Sequence, residues 1–162
     1  MPNAELLTSA EIEECFRILE WRWLPGPRPE IWVLPFWDAE RNTTEMILVD
    51  NGQGNANFIV VVLPIMRATK NQDCVCKALA LANGVLGLGK LCIDSDGDVT
   101  ARACVPRQRG LFRCQMLRHA VEAVLTGAAF IRPILDCCLE DEHCDVEAAF
   151  RRRLAKGPGV VP

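Results

Sequence analysis

Residues 81–105 hold the side chains whose types and spacing come closest to a known chemistry. Residues 84–90 fit the pattern G-x-x-x-x-G-K of a phosphate-binding loop, but Leu91 follows, where that loop needs a Ser or Thr hydroxyl to bind Mg²⁺. The residues before the glycines have helical spacing and those after them resemble a strand. This is the reverse of the strand–loop–helix order that places phosphate at a helix N-terminus. We therefore predict a helix end that leads into a strand, and no nucleotide site.

Three carboxylates follow at Asp94, Asp96 and Asp98. An EF-hand calcium loop that starts at Asp94 would need Gly at its sixth position and Glu at its twelfth, where this chain has Val99 and Val105. Catalytic carboxylate pairs need burial or a like-charged neighbour to tune their pKa values, and a surface turn supplies little of either. An Asp/Gly-rich connector between two apolar segments favours a hairpin turn. We therefore predict a hairpin here. An enzymatic function, such as a hydrolase that uses these carboxylates, is less favoured than either of the two other functions considered below.

The chain contains nine cysteines. An odd number in a chain of 162 residues without an export signal does not indicate a disulfide framework, so we expect mostly unpaired thiols. Cys74 and Cys76 would lie two positions apart on a helix and point to different faces, which is poor geometry for binding one ion together.

One cluster offers ligands of the kind that zinc prefers. Thiolates and an imidazole come together in sequence at Cys137, Cys138, His143 and Cys144, but their spacing matches no standard zinc module. We expect no metal and no cofactor. The cluster defines the alternative function of the chain, that of a thiol-based redox or zinc-responsive protein.

Composition and charge exclude several classes of partner. The formal net charge of −3 supplies no basic field for nucleic acid. No apolar run approaches the ~20 residues that span a bilayer, and the first residues lack the basic and apolar regions of a secretory signal. We expect a globular chain in the cytoplasm, with no nucleic-acid or membrane partner.

Hydrophobic periodicity predicts the elements that carry these residues. Thr8 and Glu11 can form a capping box before a helix that should end near residues 20–21. Pro35 should place its strand at an edge or a bulge, and Pro133 should kink or stop a long amphipathic helix over residues 111–131. The other predicted elements are strands at 31–36, 46–49 and 58–63, a hairpin connector at 50–55, a helix at 69–83, a hairpin at 90–105, a short helix at 146–154 and a frayed tail at 156–162.

The predicted order is α-β-β-β-α-β-β-α, which favours an α+β fold. Strands that follow one another through tight hairpins form an antiparallel sheet, here of about five strands, with the helices packed on one face in a two-layer sandwich. We assign residues 1–136 to this domain. Residues 137–162 form a C-terminal extension, rich in cysteine and charge, with a short helix and the frayed tail.

Residues 83–105 resemble the signature of the YbjN-like family of bacterial sensory transduction regulators. Asn83 closes the second helix, residues 88–94 form a strand that contains Gly-Lys, and residues 96–98 form an Asp-Gly-Asp turn. The family usually has an aromatic residue where Leu91 or Cys92 stands. The resemblance extends over roughly residues 9–135. It implies the type III secretion chaperone-like fold and a protein-interaction module without catalytic residues that often pairs with itself.

The resemblance and the scarcity of catalytic groups favour a non-enzymatic function. The chain has two histidines, and we expect neither to act as a catalytic base. We expect a chaperone-like or regulatory module that binds a protein partner and forms a homodimer. Because tryptophan often anchors protein interfaces, the candidate partner-binding residues are Trp21, Trp23, Trp32 and Trp37.

Overall fold

Four helices and six strands make up the part of the chain that the structure describes, a computed structural model covering residues 5–39, 41–52 and 57–157. In chain order they are α1 (Ser9–Ile18), β1 (Leu24–Pro25), β2 (Ile31–Asp38), β3 (Thr43–Asp50), β4 (Phe58–Arg67), α2 (Gln72–Asn83), β5 (Lys90–Ile93), β6 (Asp98–Pro106), α3 (Cys114–Glu140) and α4 (Val146–Ala155). The predicted capping box is present at α1, where Thr8 and Glu11 each accept a hydrogen bond from the other's backbone N–H.

The strands form one sheet in the order β1-β2-β3-β4-β6-β5. Neighbours pair antiparallel from β1 to β4 and again from β5 to β6. The predicted α+β class with an antiparallel sheet is confirmed. The sheet has six strands rather than five, because the two residues of β1 pair with Trp32 and Val33 from within a proline-rich connector. So short a strand leaves no periodic pattern in the sequence.

The chain divides into two compact units, residues 1–63 with 103–121, and residues 64–102 with 122–162. The first unit contains α1, β1, β2 and β3, and the second contains α2, β5 and α4. Strands β4 and β6 and helix α3 contribute residues to both units.

In the first unit, α1 covers one face of β2. Ile12 and Phe16 of α1 are fully buried, and the Phe16 ring lies edge-on to Trp32 at a centroid distance of 5.7 Å. The same face continues along the neighbouring strands, where alternate residues are fully buried. These residues are Ile47, Val49, Ile59, Val61 and Leu63.

In the second unit, the glycine-rich segment at 84–89 connects the end of α2 to β5, as the spacing predicts. Strands β5 and β6 form the predicted hairpin, with Lys90 opposite Arg102 and Ile93 opposite Val99. The turn between them needs glycine at position 97. Gly97 has a φ of +82°, and a Cβ there would lie 2.4 Å from the Ala68 carbonyl oxygen.

Helix α3 does not stop at Pro133, as the sequence suggested it could, but continues through it to Glu140. Proline lacks the N–H that would bond the carbonyl four residues earlier, that of Ala129. This carbonyl accepts a hydrogen bond from the Arg153 guanidinium of α4 at 3.2 Å. The side chain therefore replaces the bond that proline removes. The C-terminal extension expected from residue 137 thus begins inside α3.

Five of the nine cysteines are free, in line with the expectation of mostly unpaired thiols, and the other four form two disulfides. Cys15 of α1 is joined to Cys114 of α3, and Cys137 is joined to Cys144. The members of the first pair lie 99 positions apart in sequence, so no local pattern could show the link. Residues 53–55 of the predicted connector at 50–55 and residues 158–162 of the predicted tail at 156–162 lie outside the described residues.

Candidate functional site

The face of β2, β3 and β4 opposite to the buried one carries apolar side chains. Along each strand these side chains alternate with the buried residues, so they point to the other side of the sheet. Together with Leu24 of β1 they form what we call the open sheet face. It consists of Leu24, Val33, Pro35, Trp37, Met46, Leu48, Phe58, Val60 and Val62.

The strand register arranges these residues in rows. Leu24 lies opposite Val33, Val33 opposite Leu48, and Leu48 opposite Val62, so one apolar row crosses four strands. Pro35 lies opposite Met46 in the next row. Side chains directly opposite on antiparallel strands are about 5 Å apart at Cβ and contact one another. The open sheet face is therefore an apolar patch, and it is bordered on β3 by Thr44, opposite Trp37, and by Asp50, opposite Val60.

Several members of this face are exposed. Trp37 exposes 63% of its surface, Leu24 52%, Phe58 51% and Met46 43%. The solvent face of an antiparallel sheet is normally polar, and contiguous exposed apolar patches mark sites of protein interaction. The open sheet face is therefore a candidate site of contact with an apolar surface of another molecule.

Of the four candidate tryptophans, Trp37 lies on the open sheet face. Trp32 is 5% exposed and belongs to the core. Its indole Nε1–H donates to the Glu13 carboxylate at 3.0 Å, which satisfies the one polar atom of the buried ring. Because Trp32 and Trp37 are an odd number of positions apart in one strand, they point to opposite sides of the sheet. The sequence alone does not show which of these sides is buried.

Trp21 and Trp23 are half-buried and pack on the aromatic residues of the first unit. The Phe16 ring lies 6.5 Å from that of Trp21 and 5.5 Å from that of Trp23, and Trp21 also lies edge-on to Phe36 at 5.4 Å. Trp23 and Trp32 line a shallow pocket of about 360 Å³ together with the proline-rich connector. These contacts make Trp21 and Trp23 part of the packing of α1 on the sheet.

Residues 83–98 belong to the segment 83–105 that carries the family resemblance, and their polar side chains form hydrogen bonds within the fold. The Asn83 side-chain amide accepts from the N–H of Leu91 at 2.8 Å and donates to the Leu91 carbonyl at 2.9 Å. It therefore pairs with the outer edge of β5 as a strand would. The Asp94 carboxylate accepts from the N–H groups of Asp96 at 3.0 Å and Asp98 at 2.9 Å. These residues define the hairpin rather than a binding site.

The outer edge of β2 is shaped by Pro35. Gly26 donates its N–H to the Ile31 carbonyl at 2.8 Å, so Ile31 directs its backbone groups towards β1. Backbone groups alternate in direction along an antiparallel strand, and Pro35, four positions on, faces the same way. Strand β1 pairs only as far as Val33. Pro35 therefore stands at an edge, as its type predicts, where its missing N–H leaves no bond unmade.

The second unit contains a cluster of sulfur atoms. The Sγ atoms of Cys74, Cys138 and Cys144 lie within 4.8 Å of one another. Burial and a hydrogen bond with Cys74 raise the pKa of the Cys138 thiol to about 12. Of the other residues in the sequence cluster at 137–144, Cys137 is bonded to Cys144 and His143 is exposed. Cys74 was not among these residues, because its sequence neighbourhood gives no sign that α2 reaches this cluster.

The comparisons with known proteins found little. No protein-family model and no curated protein matches the chain, so the YbjN-like resemblance stays a prediction. Among solved structures, the chain is similar to one from the structure of the HopA1–SchA chaperone–effector complex. The two are 15% identical with a TM-score of 0.49, over 74% of this chain and 88% of that one. In the part of the chain that the structure describes, no helix is both long and apolar enough to span a bilayer.

Proposed function

We propose that this protein is a non-enzymatic protein-interaction module that uses its open sheet face to bind a protein partner, including a second copy of itself. The observation that carries the proposal is the apolar row across β1 to β4, in which Leu24 is exposed and the other three residues are half-buried, extended by the exposed side chains of Trp37 and Met46. Covering such a face removes apolar surface from water at a gain of about 25 cal/mol for each Å². A chaperone-like role towards an unidentified client protein, which the YbjN-like resemblance implies, is the finer form of the same proposal.

The histidines and the Asp94 carboxylate, which an enzymatic function could use, do not lie on the open sheet face. His119 and His143 are both exposed. The carboxylate of Asp94 is engaged by the N–H groups of its own turn. The nine members of the open sheet face are apolar. The same side of β3 also carries Thr44, opposite Trp37, and Asp50, opposite Val60, and the Asp50 carboxylate accepts from the N–H of Gly52 at 2.8 Å. This composition suits the binding of apolar surface and not the transfer of protons or acyl groups.

The experiment places a photocrosslinking amino acid at position 37 and expresses the protein in its host. We expect one discrete crosslinked product, a second copy of this chain or one other polypeptide, identified by mass spectrometry. Introducing Met46→Lys should remove this product, because the charge lies on the open sheet face beside Pro35. Light scattering on purified protein should show a dimer that the same substitution dissociates.

The matched control is Leu88, which is also apolar and is 67% exposed but lies in the connector before β5. A crosslinker at position 88 should give no discrete product, and Leu88→Lys should leave the product from position 37 unchanged. The proposal is wrong if position 37 captures nothing beyond the position 88 control and the protein is monomeric at all concentrations.

A further inference from the structure

We infer that Cys74, Cys138 and Cys144 form a zinc site that can bind the ion only when the Cys137–Cys144 disulfide is reduced. The three sulfur atoms already lie within 4.8 Å of one another. Tetrahedral zinc with Zn–S bonds of about 2.3 Å holds its sulfur ligands about 3.8 Å apart. Closing the cluster around an ion therefore needs movements of about 1 Å, which side-chain rotation can supply.

The three ligands come from different parts of the second unit. Cys74 lies in the first turn of α2, Cys138 in the last turn of α3, and Cys144 in the loop before α4. The Asn71 side chain donates to the Cys138 carbonyl at 2.8 Å and so ties the start of α2 to the end of α3. An ion pair of 3.0 Å between Lys77 and Glu147 connects α2 to α4. The scaffold thus brings the sulfur atoms together without help from a metal.

The loop that carries Cys144 has its own fixed conformation. The Asp141 carboxylate accepts from the N–H of His143 at 2.8 Å, and the Asp141 carbonyl accepts from the N–H of Cys144 at 3.1 Å. Asp145 then caps α4 by accepting from the N–H of Ala148 at 3.0 Å. These bonds do not involve the disulfide, so they can hold Cys144 beside Cys138 after reduction.

The chemistry of the site favours zinc. Three thiolates are soft ligands, which select zinc over calcium or magnesium. A site with three protein ligands leaves the fourth tetrahedral position to solvent.

The disulfide controls this site through Cys144. In the oxidised chain the Cys144 sulfur is bonded to Cys137 and cannot act as a thiolate. A dithiol reductant supplies two electrons and two protons, becomes a disulfide itself, and leaves two thiols at Cys137 and Cys144. Zinc then displaces one proton from each of the three ligand thiols, and three protons pass to solvent.

The experiment titrates the full chain with Zn²⁺ against a chromophoric chelator, and with Co²⁺ as a spectroscopic substitute. With a phosphine as reductant, the wild-type chain should bind one ion and show the charge-transfer bands of cobalt thiolate. Without reductant it should bind none. Cys74→Ser, Cys138→Ser and Cys144→Ser should each lower the affinity by at least about 100-fold, because losing a ligand costs more than the 10–100-fold loss that follows removal of a residue hydrogen-bonded to a ligand.

The two halves of the disulfide give the sharpest contrast. Cys137→Ser frees Cys144 permanently, so this variant should bind zinc whether or not reductant is present. Cys76→Ser is the matched control on α2, since Cys76 is exposed and outside the cluster, and it should bind like the wild type. Circular dichroism establishes that each variant is folded, and an alanine replacement substitutes for any serine variant that is not.

Three results would overturn the inference. The first is that Cys137→Ser and Cys144→Ser lose zinc equally. The second is that Cys74→Ser retains it, and the third is that the oxidised wild-type chain binds it as well as the reduced one does. None of them bears on the open sheet face, whose residues all lie in the other unit.

Discussion

In the first unit, Arg109 and Thr8 both bind the half-buried carboxylate of Glu11. Arg109 donates to its two oxygens from Nε at 2.8 Å and from Nη2 at 3.0 Å, and Thr8 donates from its backbone N–H at 2.8 Å. The hydrogen bond from Arg109, followed by those from Thr8, lowers the pKa of Glu11 from 4.5 to about 2. One residue thus completes the cap of α1 and connects α1 to the segment after β6.

Because the folded-state pKa of Glu11 is depressed, its contribution to stability is fully present above pH 4.5 and is lost as the pH falls through about 2. We expect Glu11→Gln to lower the free energy of unfolding at pH 7 and to have progressively less effect below pH 4.5. Urea unfolding of wild type and variant across this range measures the difference. Arg109→Gln should remove most of the same pH dependence, and an unchanged difference at pH 2 would contradict this assignment.

At the scale of single elements, Asn83 protects the edge of the sheet. Strand β5 has a neighbour on one side only, β6, and edge strands with free backbone groups invite pairing with other chains. The amide of Asn83 meets both free groups of Leu91, a residue that is only 4% exposed. At this one residue of β5, the Asn83 side chain forms the two backbone hydrogen bonds that a further strand would form.

We expect Asn83→Ala to lower the free energy of unfolding by about 1–3 kcal/mol, because it leaves a buried N–H and a buried carbonyl of Leu91 without partners. Asn83→Asp, which keeps an acceptor but loses the donor, should fall between the wild type and the alanine variant. Urea unfolding gives these values. Equal stability of the alanine variant and the wild type would show that water replaces the amide.

Helix α3 and helix α4 are coupled through the Ala129 carbonyl. Pro133 leaves this carbonyl without its helical donor, and Arg153 supplies one while its guanidinium also lies 5.8 Å from the centre of the Phe130 ring. The proline and the arginine therefore depend on each other. Neither residue alone indicates this in the sequence, where 20 positions separate them.

A double-mutant cycle tests that dependence. Arg153→Ala should destabilise the wild-type chain, and it should cost about 1 kcal/mol less in the presence of Pro133→Ala, because alanine at 133 restores the N–H that bonds Ala129. Arg152→Ala, an exposed neighbour on α4, is the control and should show no coupling to position 133. Additive effects of Arg153→Ala and Pro133→Ala would refute the coupling.

The sequence predicted what depends on neighbouring residues. The capping box of Thr8 and Glu11, the glycine-rich end of α2 and the hairpin after β5 all follow local rules, and the structure confirms them. The sequence could not predict β1, because this strand depends on pairing with β2. Nor could it predict the continuation of α3, which depends on Arg153. For the same reason the open sheet face was represented by Trp37 alone among its nine members, since outward and inward residues differ only once the register is known.

At the scale of the whole molecule, the Cys15–Cys114 disulfide links positions 99 apart. Closing so long a loop restricts the unfolded chain strongly, and the chain-entropy estimate approaches 5 kcal/mol. The Cys137–Cys144 link closes a loop with a separation of 7 and restricts the unfolded chain much less. In a reducing cytoplasm, which the sequence predicts, both links would open, so redox conditions are expected to act on stability and on the sulfur cluster separately.

We expect the joint substitution of Cys15 and Cys114 by alanine to lower the free energy of unfolding by about 2–4 kcal/mol relative to the oxidised wild type. Adding a dithiol should destabilise the wild type by a similar amount and affect the variant much less. The joint substitution of Cys137 and Cys144 serves as the comparison, with a smaller loss expected. Urea unfolding with and without reductant measures all four quantities, and an equal loss for both pairs would contradict the loop-length argument.

Pro35 lowers the tendency of this protein to form fibrils at high concentration. Fibrils grow when successive chains add strands to an uncovered margin, and each addition needs an unbroken run of donors and acceptors. Proline interrupts that run beyond the end of β1, and the Asn83 amide occupies the corresponding groups at the opposite margin. Stacking of chains into fibrils is thereby disfavoured at both margins. The protein can therefore expose the apolar open sheet face without polymerising through its backbone.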